Sequence, residues 1–149
     1  MKTLFIAALV GLLVVPVVGN ANQAKYNQAE IVAKTVLATG VGQLQIMEQF
    51  KILMDAMDAK AKNAPDQQQK DWALGMKANY AEIYNQQKIQ FNKINKDYLK
   101  AVRNLCKLFR TPWAGGPTVD SEFGILVCTG LGPNLGKRGI MHDQRLLNR

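Results

Sequence analysis

Histidine and serine are almost missing from this chain of 149 residues: His142 and Ser121 are single occurrences, and there are two cysteines. One histidine builds no multi-histidine metal site, and two cysteines are too few for a four-ligand structural zinc. A Ser–His–Asp nucleophile would rest on Ser121 and His142 alone, and no motif surrounds either of them. Acids are scarce as well, with 11 Asp and Glu against 19 Lys and Arg, which leaves a net charge of +8. There is no Cys-x-x-Cys pair and no Asn-x-Ser/Thr acceptor. No arrangement of residues calls for a cofactor. What remains is 48% hydrophobic and 20% charged, the composition of one ordinary globular domain rather than a disordered tail.

The first residues read as an export signal. Met1-Lys2-Thr3 precedes an uncharged run, Leu4 to Val18, and Gly19-Asn20-Ala21 places small residues for a cut after Ala21. The run falls short of the roughly 20 apolar residues that span a bilayer. The destination expected from this pattern is the periplasm or the medium. An even pair of cysteines suits such an oxidising compartment, and a Cys106–Cys128 disulfide is expected there.

The remainder divides into residues 22–110, read as helical, and 111–149, read as a loop-rich lobe and tail. An apolar seam on the first helical stretch runs Val32, Val36, Thr39, Gln43, Ile46, Phe50, Leu53, Met57, in steps of three and four. Gly40 and Gly42 interrupt it, so two helices meeting near residue 41 are an alternative to one. Asn63-Ala64-Pro65-Asp66 is the clearest break, with Asp66 set to cap a second helix. That helix is expected to reach Arg110, with the seam Tyr84, Gln87, Phe91, Ile94, Tyr98, Ala101, Leu105, Leu108, a coiled-coil-like spacing. Thr111-Pro112 ends it. Beyond, glycines accumulate, and only Phe123 to Cys128 reads as a strand; Ile140 to Arg149 reads as a frayed tail. The fold class expected is therefore all-α: a long helical hairpin or three-helix bundle with a Gly-rich, disulfide-tethered C-terminal lobe.

Charge placement is the strongest functional signal. Lys93, Lys96, Lys100, Arg103, Lys107 and Arg110 form one basic stripe at helical spacing, turned away from the seam. It suits docking to an anionic partner, and no aromatic residue interleaves with it as single-stranded nucleic acid would require. Asp120, Glu122 and His142 are the acid/base candidates of the C-terminal lobe, and no spacing joins them into a mechanism. Asp55 and Asp58, three apart, read as a solvated face rather than a cation site. Trp113 is expected to pack over the disulfide.

These features add up to a non-enzymatic extracytoplasmic interaction protein that docks a protein partner or assembly through long helices and a basic face. An accessory subunit of a bacterial envelope or secretion apparatus fits that description. Two alternatives stand beside it. One is a protein acting on anionic lipid through segment 84–110. The other is the precursor of a secreted peptide, because Gly136-Lys137-Arg138 resembles a dibasic processing signal.

Overall fold

The computed structural model describes residues 21–110, 121–129 and 139–148. The signal-like segment lies outside them, apart from Ala21, as do Asp120, Trp113 and Gly136-Lys137-Arg138. Two long helices, α1 (Ala21–Lys62) and α2 (Gln67–Arg110), run antiparallel and pack along their length. At about 1.5 Å per residue each is over 60 Å long. The expected break is where they turn. Asn63 closes the last turn of α1 by donating its N–H to the Ala59 carbonyl, and Asp66 Oδ1 accepts the Gln69 N–H at 2.8 Å to cap α2. Two short helices, α3 (Glu122–Thr129) and α4 (Ile140–Asp143), pack at the open end, and a 3₁₀ turn over Gln144–Asn148 follows α4. No helix among the described residues is long and apolar enough to cross a membrane.

The seam expected on α2 is the one that packs: all eight of its residues are buried or partly buried, and Val102 joins them. On α1 the buried line lies one residue over from the expected seam. Tyr26, Ala33, Leu37, Gly40 and Met47 are buried, while Val32, Thr39, Ile46 and Leu53 remain exposed on the flank. Small residues explain the choice, since Ala33 and Gly40 allow the neighbouring elements to come close. Gln43 belongs to both lines. It is polar yet buried, because its Nε2 donates to Gln87 of α2, at 2.5 Å to the side-chain oxygen and 3.2 Å to the carbonyl. The glutamines that sit in the two seams meet across the pair.

One alternative is decided and two further expectations are corrected. First, α1 is a single uninterrupted helix, not two meeting at residue 41. Second, Phe123 to Cys128 is helical, not a strand. A short apolar run does not distinguish the two by periodicity, and a lone strand has no ladder to join. Here Ser121 Oγ accepts the Gly124 N–H at 3.0 Å, a helix cap, and Phe123, Val127 and Cys128 turn into the core together. Third, the tail is not frayed. Ile140 is completely buried in the same core cluster.

The slot for Ile140 is cut into α1. A Cβ added at Gly40 would fall inside the Ile140 side chain, whereas one added at Gly42 or Gly75 meets nothing within 4 Å. Gly42→Ala and Gly75→Ala are therefore expected to stabilise the protein by about 0.5–1 kcal/mol each, through helix propensity alone. Gly40→Ala is expected to destabilise it by about 1–3 kcal/mol, because overpacking outweighs the same propensity gain. Urea denaturation of the three variants checks this, and a Gly40→Ala protein as stable as the Gly42→Ala protein would show the slot to be empty.

A candidate docking face and its supports

Most of the buried apolar side chains gather at the open end, where α3 and α4 close over the helix pair. Towards the turn, the buried residues are small, Ala61 and Ala73, and each helix there has chiefly the other for cover. Phe50 and Tyr80 pack across the pair with ring centroids 6.2 Å apart, and Lys60 Nζ lies 4.7 Å from the Trp72 ring centre. Asp58 ties the arms electrostatically: it holds Lys62 on its own helix at 3.2 Å and Lys77 on α2 at 2.7 Å. Bonding to Lys77, then to Lys62, keeps its carboxyl below the usual carboxylate range. Asp55 stays exposed, and no cluster of metal-binding side chains occurs among the described residues.

The basic stripe runs along the outer face of α2 at the open-end half. Lys93, Lys96, Lys100, Arg103 and Lys107 are all exposed, and the side chain of Arg110 lies outside the description. At 100° per residue these positions are almost diametrically opposite Phe91, Ile94, Tyr98, Ala101, Leu105 and Leu108, which pack. The separation has a simple cause: the seam recurs every seven residues in steps of three and four, and so does the stripe, half a turn away. Among the described residues no acid forms an ion pair with Lys93, Lys96, Lys100 or Arg103; the pairs present join Lys34 to Glu30, Lys62 and Lys77 to Asp58, and His142 to Asp143. From Lys93 to Lys107 the stripe extends over about 21 Å.

What holds this half of α2 in place is a set of buried links to the short helices. The Cys106–Cys128 disulfide joins the last turns of α2 to α3. Tyr98, on the seam, donates its hydroxyl to Asp143 Oδ2 at 2.7 Å, and Asn95 Oδ1 accepts the Ile140 N–H at 2.9 Å, capping α4 from outside. Burial, and then the bond to Asp143 with its charge, pushes the Tyr98 hydroxyl well above its usual range, so it keeps its proton. The other oxygen of Asp143 lies 2.6 Å from His142 Nδ1, and Arg145 reaches His142 Nε2 at 3.1 Å. On the α1 side, Ser121 donates to Glu30 Oε2 at 2.5 Å while Lys34 holds Oε1 at 2.6 Å. Burial, with a smaller push from the Glu30 charge, raises the Tyr26 hydroxyl beside them.

The two described acid/base candidates, Glu122 and His142, are not brought together. Glu122 lines a cleft of about 410 Å³ whose walls include Glu30, Lys34, Phe123, Leu126 and Leu146. His142 is not among its walls; its ring is engaged by Asp143 and Arg145 instead. The residues missed in the sequence reading are Asn95, Tyr98 as a hydrogen-bond donor, Ile140 and Asp143. The pair Ile140-Met141 after a glycine is the one signal in the sequence, and the partners of Ile140 and Asp143, Asn95 and Tyr98, each lie 45 residues away.

The fold and face define an antiparallel two-helix hairpin buttressed at its open end by disulfide-tethered short helices, with one outer face strongly basic. Comparison with family models, with curated proteins and with solved structures finds no match.

Proposed function

We propose that the chain is a non-enzymatic interaction protein of an extracytoplasmic compartment. It docks an anionic partner surface on the basic face of α2, in the manner of an accessory subunit of an envelope or secretion assembly. The observation that carries this reading is the exposure of Lys93, Lys96, Lys100 and Arg103 in one line, opposite the packed seam and, among the described residues, ion-paired to no acid. A solvated face needs charge of either sign; this one holds cations with a single acid, Asp97, near them. The compartment rests on the Cys106–Cys128 bond together with the signal-like N-terminus. The helices supply rigidity, which places the charges at fixed spacing before the partner arrives.

The test is charge reversal at Lys96, Lys100 and Arg103 together. The triple variant K96E/K100E/R103E should melt within a few degrees of the wild type, since exposed substitutions change stability by about 0.5 kcal/mol or less each. On an immobilised polyglutamate surface, the wild type should be retained at low salt and released as salt rises, and the variant should not be retained. Equal retention of both proteins would overturn the reading. Binding to phosphatidylglycerol vesicles without binding to polyglutamate would replace the protein partner with a lipid surface.

A further inference from the structure

The outer face of α2 does not end at its basic half. Followed towards the turn, the same line passes Ile89, Asn85, Glu82, Ala78, Gly75 and Asp71, every one exposed. On this line the only charges of the turn half are the acids Glu82 and Asp71, and the open-end half carries bases, with a large apolar residue between them: Ile89 is 58% exposed. Gly75, Glu82, Ile89, Lys96 and Arg103 are spaced by seven, a straight ridge on a coiled-coil period.

We propose that the partner of this face is a second copy of the chain, laid antiparallel along α2 with the two-fold axis at Ile89. The inference rests on the reading of the basic face as a docking surface, and it names what docks there. Residues equidistant from Ile89 meet in such a pair. Glu82 faces the partner's Lys96, each seven residues from the centre, and symmetry repeats the pair. Lys93, Lys100 and Arg103 meet the partner's Asn85, the partner's Ala78 and the partner's Gly75, neutral and small positions over which long aliphatic stems lie flat. Ile89 packs against the partner's Ile89, which removes from water the one large apolar side chain at the centre of the face.

Orientation and register follow from the same charges. A parallel pair in register would set Lys96 against Lys96 and Glu82 against Glu82. An antiparallel pair shifted by one heptad would press Ile89 onto a lysine or a glutamate and leave its apolar contact unmade. The α1 helix packs on the far side of α2, and the short helices attach through Asn95, Tyr98 and Cys106, so neither covers the ridge. The contact rests on two symmetric exposed ion pairs and one small apolar contact, so it is a weak association that salt dissolves.

Sedimentation of the oxidised protein tests this directly. The wild type should dimerise at low ionic strength and dissociate as salt is added. K96E and E82K should each weaken the dimer by about tenfold or more, because each turns two attractions into two repulsions. An equimolar mixture of K96E and E82K should associate as mixed dimers, since glutamates at both positions of one chain then face lysines at both positions of the other. The double variant E82K/K96E should regain the homodimer. Circular dichroism of every variant should match the wild type, as the positions are exposed. A wild type that stays monomeric at low salt, or single variants that fail to recover on mixing, would overturn the pairing. If that monomer is still retained on polyglutamate through Lys96, Lys100 and Arg103, basic-face docking stands without self-association. If K96E/K100E/R103E is retained like the wild type, both fall.

Discussion

Leu105→Ala is expected to lower the unfolding free energy by about 2–5 kcal/mol, the range for deleting a fully buried leucine side chain. Leu105 is 0% exposed and belongs to the cluster in which Tyr26 and Leu37 of α1, Tyr98, Val102 and Cys106 of α2, and Phe123 and Val127 of α3 come together. Both the lost transfer energy and the cavity contribute, because a core fixed by three elements and a disulfide has little room to collapse. The paired control is Leu53→Ala. Its chemistry is identical, but Leu53 is 38% exposed on the flank of α1, and its removal should cost less than about 1 kcal/mol. Urea denaturation followed by circular dichroism measures both, with unchanged slope as the sign that the native state is intact. Equal costs at the two positions would mean that the open end holds no more core than the turn end.

Removing the disulfide should have an effect of similar size and a different form. Cys106 and Cys128 close a loop with a sequence separation of 22, for which the chain-entropy model gives about 3 kcal/mol. The C106S/C128S variant should therefore keep the helix pair, whose turn and seam do not depend on the bond, yet unfold at clearly lower urea. The loss should be local first. Amide exchange should quicken in α3, where Phe123 and Val127 are held against the pair chiefly at this point, while the α1–α2 seam near Phe91 stays protected. Reduction of the wild type should reproduce both results. Unaltered stability on reduction would show that side-chain packing alone holds α3.

The same anchoring bears on the docking face. The cations of α2 keep their spacing only while the helix beneath them stays regular to its last turns. Those turns carry Cys106, with Tyr98 and Asn95 about two and three turns earlier. A reduced protein is thus expected to hold the turn-proximal half of the face, around Glu82 and Ile89, better than the half around Arg103 and Lys107. On the proposed docking, the disulfide is expected to support recognition as well as stability.

Local rules determined a large part of this protein. The proline break at 63–66 with its aspartate cap, two long amphipathic helices, the packed seam of α2, the opposed basic stripe and the pairing of the two cysteines all follow from spacing along the chain. Each depends on residues within a turn or two of one another, or on there being a single way to pair two cysteines. Tertiary structure alone decided which of two neighbouring lines on α1 would be buried. Val32, Thr39, Ile46 and Leu53 offer more apolar surface than Ala33 and Gly40, but contact between elements rewards close approach as well as hydrophobicity. It also decided that Phe123 to Cys128 coils rather than extends, since a strand needs a partner from elsewhere and a helix does not. Gly40 shows the difference most plainly. Along the chain it is a weak point in a helix; in the folded protein it is the notch that Ile140 fills, a hundred residues later in sequence.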